Sequence, residues 1–132
     1  MSTIRPLILI IDDDTDIIGI LAAALGDAYA VIGAFDGLDG YALACQRRPA
    51  VILLDVTMPI VDGWTVLRKL RSNPAASHSC VVIVTAAEQE AVRREGEKHQ
   101  VFEVIHKPVD VLELRKVLAR AVHSINTKND VL

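Results

Sequence analysis

The chain has 132 residues, 52% of them hydrophobic, and a net charge of −3, which provides the apolar material for one domain with its own core. This composition excludes a disordered chain, and it lacks the basic stripe that binding to DNA or RNA requires. The apolar run at residues 7–11 is too short for a signal peptide or a membrane span. We therefore expect a cytoplasmic domain that contacts neither nucleic acid nor membrane.

Five short apolar runs follow one another along the chain, and all but the last are nearly continuous rather than alternating. Such runs are typical of strands buried on both faces, as in a parallel sheet that is covered by helices. The predicted strands are residues 7–11, 30–34, 51–54, 81–84 and 101–105.

Apolar residues recur at helical spacing in the segments between and after these strands. The predicted helices of this kind are residues 15–27, 37–48, 63–71 and 111–122. Asp14 is the expected N-cap of the first helix, and Asp110 with Glu113 predicts a capped start for the last one. The segment 88–98 is mostly charged, which predicts a solvated helix or, as the alternative, a mobile surface near a switch.

Strand and helix thus alternate five times, which predicts an α/β fold with a doubly wound five-stranded parallel sheet and helices on both faces. Residues 124–132 are polar and aperiodic. We expect them to form a C-terminal tail or a truncated linker, so that the domain itself spans residues 1–123.

Cysteine and histidine positions give no sign of a transition-metal site. Cys45 and Cys80 fit neither a metal-binding spacing nor a redox motif. We expect both to be partly buried thiols in a reducing cytosol rather than a disulfide. The four histidines are scattered along the chain.

Polar side chains follow four of the predicted strands, at the sheet edge where doubly wound folds place their functional crevice. Aspartates follow the first and third strands, a threonine and an alanine follow the fourth, and a lysine follows the fifth. These residues are Asp12, Asp13, Asp14, Asp16, Asp55, Thr85, Ala86 and Lys107. Asp14 and Asp16 are better explained as residues of the helix start, where a negative charge is favourable. Three carboxylates, one hydroxyl and one ammonium group are therefore expected to converge.

Carboxylates held this close together require a cation, because like charges raise each other's pKa. Oxygen ligands suit Mg²⁺, or Mn²⁺ as a related hard cation. Lys107 offers a positive charge to a phosphoryl oxygen, and the hydroxyl of Thr85 offers a hydrogen bond. Asp55 is then expected to act as a nucleophile that forms an aspartyl phosphate.

Together these motifs resemble the signature of response-regulator receiver domains over residues 5–123. The matching segments are IIDD at 10–13, LLDVTMP at 53–59, DG at 62–63, TA at 85–86 and KP at 107–108. The resemblance implies a flavodoxin-like strand order, 2-1-3-4-5. It also implies a signalling switch that assists its own phosphorylation and dephosphorylation, rather than an enzyme.

The resemblance assigns a metal-binding role to residues after the first and third strands. Asp55 matches the phosphoacceptor, and Asp13 matches a direct ligand of the metal. Asp12 matches a neighbouring acid that acts largely through water, and the backbone carbonyl of Thr57 matches a third protein ligand.

The remaining matched positions bind the phosphoryl group or take part in switching. Lys107 matches the lysine that binds the phosphoryl group, Thr85 the hydroxyl that moves towards it, and Ala86 follows Thr85. The implied donor is a phosphohistidine on a sensor histidine kinase or a histidine phosphotransfer protein. A downstream protein partner is expected to bind through residues 88–122.

Two departures from the family pattern affect the expected switching surface. Val104 lies where the family usually has an aromatic residue, and Gln100 with Val101 replaces the usual Gly-Ala pair. A receiver fold that has lost phosphotransfer and acts as a scaffold is therefore an alternative, which the intact acidic residues oppose.

Two further alternatives fit the aspartates of residues 12–16 less well. In a haloacid dehalogenase-type phosphatase, Asp12 and Asp14 would match the motif, but Asp16 lies where Thr or Val is needed. In a calcium loop, Ile17 lies where Gly is required and Ala23 where Glu is required.

Overall fold

The computed structural model describes residues 5–130 of the chain, with side chains through residue 126. Five strands and five helices alternate along the chain. The strands are β1 (Leu7–Ile11), β2 (Ala30–Ala34), β3 (Val51–Leu54), β4 (Cys80–Thr85) and β5 (Glu103–His106). The helices are α1 (Thr15–Leu25), α2 (Gly37–Arg47), α3 (Gly63–Ser72), α4 (Gln89–Lys98) and α5 (Val111–Asp130).

All five strands pair in parallel in the order β2-β1-β3-β4-β5, which confirms the predicted doubly wound sheet. Ile11 at the end of β1 pairs with Ala34 on one side and with Leu54 on the other. The carboxyl ends of the three strands are therefore level with one another. This register brings the residues that follow each strand to one edge of the sheet.

The continuous apolar strands are buried on both faces, as their sequences predict. Leu9 and Ile11 point into the layer that α2, α3 and α4 cover. Ile8 and Ile10 point the other way, into the layer beneath α1 and α5. Full burial of one such side chain contributes about 1.5–3 kcal/mol. The two layers together hold the edge of the sheet rigidly in place.

Helix starts follow the sequence closely. Asp14 caps α1 by accepting a hydrogen bond from the amide of Asp16 at 3.0 Å. Asp110 accepts hydrogen bonds from the amides of Leu112 and Glu113. Cys45 and Cys80 are both partly buried thiols, as expected. Within the described part of the chain, none of the helices has the length and apolar character needed to cross a membrane.

Helix α5 continues beyond its predicted end at residue 122. Residues 124–130, predicted to be a polar tail, are helical instead. Ile125 is partly buried and extends the apolar face that Leu118 and Ala121 form, which explains the continuation. Residues 131–132 lie outside the described residues, and a domain boundary at residue 123 stays a prediction.

Strand β5 begins at Glu103, two residues later than predicted, because Val101 takes part in the cap that ends α4. The amide of Val101 donates to the carbonyl of Gly96, and the amide of Gln100 donates to that of Glu97. These two bonds form a Schellman motif, whose left-handed position is occupied by Gln100 with φ of 59°. Only Val92 and Gly96 are buried in α4, which agrees with its thin apolar stripe.

We expect Gln100→Gly to stabilise the domain by about 1 kcal/mol, because glycine adopts the left-handed conformation without the steric cost of a Cβ. Urea unfolding would show a higher midpoint with an unchanged slope. Gln100→Ala is the matched control, since it keeps the Cβ and should bring no such gain. Equal stability of the two variants would contradict a backbone origin of the effect.

Candidate functional site

Asp12 and Asp13 follow β1 at the carboxyl edge of the sheet. The side chain of Asp12 is buried, and its Oδ1 accepts a hydrogen bond from the amide of Asp14 at 2.9 Å. The side chain of Asp13 is exposed. Asp14 is occupied as the helix cap, and Asp16 lies in the first turn of α1. Asp14 and Asp16 therefore belong to the start of the helix rather than to the acidic site.

Asp55 follows β3 and lies beside Asp12. Its amide donates to the carbonyl of Ile11 at 3.0 Å, which continues the pairing of β3 with β1 by one residue. Its Oδ1 accepts a hydrogen bond from the amide of Thr57 at 2.8 Å. This bond fixes the carboxylate and leaves Oδ2 directed towards the crevice.

Lys107 bridges the two buried carboxylates. Its Nζ lies 2.8 Å from Oδ2 of Asp12 and 3.0 Å from Oδ2 of Asp55. The exposed fractions of the side chains are 16% for Lys107, 4% for Asp12 and 6% for Asp55, so the three charges interact away from bulk water. The amide of Lys107 donates to the carbonyl of Thr85, which ties the lysine to the end of β4.

Burial is the largest single influence on the pKa of Asp12 and on that of Lys107. It raises the pKa of Asp12, although the hydrogen bonds from Lys107 and from the amide of Asp14 act in the opposite direction. For Lys107, burial alone would lower the pKa. The hydrogen bonds to Asp12 and Asp55, together with their negative charges, outweigh that effect and raise it. The ammonium group is therefore held in its charged form.

The three carboxylates form a group that can hold a metal ion. One oxygen each from Asp12, Asp13 and Asp55 lies within 4.8 Å of the others. Carboxylate oxygens at such spacing suit Mg²⁺, which binds through one or two carboxylates and keeps several waters. The cluster thus fits the magnesium site of a receiver domain. Thr57 lies two residues beyond Asp55, and its carbonyl as a further ligand stays a prediction.

Thr85 is fully buried, and Thr57 links it to the charged side chain of Asp55. Its hydroxyl lies 3.4 Å from the hydroxyl of Thr57 and accepts a hydrogen bond from the amide of Ala87. Ala86, which follows the end of β4, is exposed at the carboxyl edge of the sheet. The sequence did not indicate the contact between the two threonines, since they are 28 residues apart and each resembles an ordinary loop or strand residue.

Val104 is a core residue of β5, 5% exposed, and pairs with Ile83 of β4. It packs within the same apolar layer as Val92 of α4. Among the predicted site positions, Asp12, Asp13, Asp55 and Lys107 are thus brought together, whereas Val104 lies in the core behind them.

Comparison with known proteins identifies the family. The response regulator receiver domain model matches residues 8–119, so the chain belongs to that family and is a receiver domain of two-component signalling. Receiver domains act as signalling switches. This membership excludes the dehalogenase-type phosphatase and the calcium loop as accounts of the aspartates.

Individual relatives agree with this assignment. The response regulator PleD of Caulobacter vibrioides is 38% identical over 104 residues, which are 78% of this chain but only 23% of PleD. The protein PilH of Pseudomonas aeruginosa is 35% identical over 84% of this chain and 93% of PilH. The structure of the chemotaxis protein CheY4 of Vibrio cholerae matches with a TM-score of 0.82 at 27% identity, and covers 89% of this chain and 98% of CheY4.

Proposed function

We propose that Asp55 accepts a phosphoryl group from a phosphohistidine on a sensor histidine kinase or a histidine phosphotransfer protein, and that Mg²⁺ or Mn²⁺ is required. The observation that carries this proposal is the bridge of Lys107 between Asp12 and Asp55, with Asp13 completing the acidic group. Asp12, Asp13, Asp55 and the carbonyl of Thr57 would hold the metal. A cytoplasmic location stays a prediction.

The proposed reaction is an in-line transfer between two partners. A carboxylate oxygen of Asp55 forms the new bond to phosphorus, while the N–P bond of the phosphohistidine breaks and its electron pair stays on the imidazole. Lys107 already lies 3.0 Å from Asp55, so a short movement of its ammonium group pairs it with a phosphoryl oxygen. The metal, when bound, neutralises charge on the transferring group.

Switching would begin at Thr85 and Ala86. The hydroxyl of Thr85 lies only 3.4 Å from that of Thr57, and we propose that it leaves this contact to bind the phosphoryl group. Such a group stabilises the conformation in which the hydroxyl has moved inward, and so shifts the population. The shift would reach a downstream protein through residues 88–122, where α4 is held by few buried side chains.

Intact mass after incubation with acetyl phosphate and Mg²⁺ tests the proposal. We expect the wild type to gain one phosphoryl group, and we expect Asp55→Ala or excess chelator to abolish the gain. Asp39→Ala is a suitable control, since it removes an exposed aspartate outside the acidic group. A folded wild type that gains nothing with the metal present would favour the scaffold alternative.

A further inference from the structure

A groove of about 320 Å³ opens beside the acidic site. It lies between the start of α2 and the loop that follows Asp55. Asp13 lines it on the side of the site, and Phe35, Leu38 and Ile60 line it on the outer side. The groove and the acidic site are therefore continuous, with Asp13 belonging to both.

The outer side of the groove is unusually apolar for a surface. Ile60 is 100% exposed, Leu38 57% and Phe35 54%. They are three of the five large hydrophobic residues that are exposed in the described part of the chain. Apolar residues scattered singly need no explanation, but three that share one groove indicate a binding surface.

Ile60 is the central residue of a tight γ-turn, in which the amide of Val61 donates to the carbonyl of Pro59 at 2.8 Å. Its φ is 70°, in the left-handed region where a β-branched residue is a steric outlier. Its side chain is fully exposed and hence has no packing that offsets this cost. Backbone strain of this kind recurs at ligand-binding segments, where an occupant supplies the missing contacts.

The groove is formed in the isolated chain rather than on binding. Gly37 at the start of α2 lies so close to the loop that a Cβ there would be 2.6 Å from Cγ2 of Val66 and 3.3 Å from the carbonyl oxygen of Val61. This close approach fixes the segment of Phe35 and Leu38 against the loop that carries Ile60. A partner would therefore meet a rigid surface.

The charges around the groove are negative. Asp36 lines it and Asp39 is exposed one residue beyond Leu38. Neither carboxylate forms an ion pair with a lysine, arginine or histidine of the described residues. A complementary partner surface would present an apolar side chain next to Lys or Arg.

We propose that this groove is the docking surface for the protein that delivers the phosphoryl group, and that it takes an apolar side chain flanked by basic residues of that protein. The inference rests on the proposed function. A donor protein whose phosphohistidine reaches Asp55 must cover the rim of the site, and the groove is continuous with that rim through Asp13. A small donor such as acetyl phosphate needs no such surface.

Phosphotransfer with two kinds of donor tests this surface. The protein donor is the autophosphorylated sensor histidine kinase that transfers fastest to the wild type in a panel of purified kinases. Ile60→Asn and Leu38→Gln should each lower its transfer rate about tenfold, as loss of a central interface residue does. Both variants should keep the wild-type rate with acetyl phosphate. Asparagine tolerates the left-handed conformation, so Ile60→Asn is expected to fold.

Two controls test whether the slower transfer from the kinase is specific to the groove. Ile125→Asn removes a partly buried isoleucine near the opposite edge of the sheet and should leave both donor reactions unchanged. Added salt should slow transfer from the kinase to the wild type, and Asp39→Asn should flatten that dependence.

Several outcomes would overturn the inference while leaving Asp55 in place as the phosphoacceptor. One is an unchanged kinase rate in both groove variants. Another is a panel in which no kinase transfers although acetyl phosphate labels Asp55. A third is a dimer of the wild type in sedimentation that Ile60→Asn dissociates, since the groove would then bind a second copy. Failure of acetyl phosphate to label the wild type would instead contradict the proposed function.

Discussion

Gly63→Ala should destabilise the domain by about 3 kcal/mol, the upper range for overpacking a rigid site. Gly63 begins α3, and a Cβ there would lie 2.4 Å from the carbonyl oxygen of Asp55 and 2.5 Å from Cα of Val56. Both are backbone atoms next to the proposed phosphoacceptor, so no side-chain rotation relieves the clash. Either α3 moves outward or the backbone of Asp55 moves, and we expect labelling of Asp55 to fall in the molecules that stay folded.

Gly19→Ala is the matched control for that substitution. Gly19 lies inside α1, and a Cβ there has nothing within 4 Å. Alanine should therefore stabilise the domain by about 1 kcal/mol through helix propensity alone. Urea unfolding of both variants, with acetyl phosphate labelling alongside, separates the two effects. If Gly63→Ala were as stable as wild type and labelled normally, the position of α3 would not depend on the close approach between Gly63 and the backbone of Asp55.

The sequence predicted the strands best where both faces of the sheet are covered. Residues 7–11, 30–34 and 51–54 match β1, β2 and β3 in full. Two boundaries in the second half of the chain were not predictable in this way. The sequence did not indicate that Val101 closes α4, because Gln100 takes the left-handed position at which glycine is usual. Nor did it indicate that Ile125 carries α5 onward, because the residues around Ile125 are polar and show no helical period.

The site was predictable at the level of strand ends but not of individual atoms. Parallel topology alone brings Asp12, Asp55 and Lys107 to one edge of the sheet. Their bridge, by contrast, depends on the χ angles of a long side chain and on burial that only the folded chain provides. The exposed side chain of Ile60 was likewise not predictable from the sequence, since no sequence period marks a left-handed loop residue.

Lys107→Ala should lower the stability of the metal-free domain by about 3 kcal/mol, because removal of one partner leaves buried charges uncompensated. Asp12 and Asp55 would then lie side by side without the ammonium group that now bridges them. Burial already raises the pKa of Asp12, and the loss of Lys107 would raise it further. Urea unfolding in the presence of chelator measures the loss.

Mg²⁺ should restore part of the lost stability, because a cation between the carboxylates takes over the role of the ammonium group. At a metal concentration about ten times the Kd of Lys107→Ala, that variant gains about 1.4 kcal/mol, and wild type gains less because its ammonium group competes with the metal. Labelling by acetyl phosphate should nevertheless stay low, since no ammonium group then pairs with a phosphoryl oxygen. Lys116→Ala, which removes an exposed lysine of α5, should change neither stability nor labelling. A Lys107→Ala domain as stable as Lys116→Ala would mean that the bridge contributes nothing to the fold.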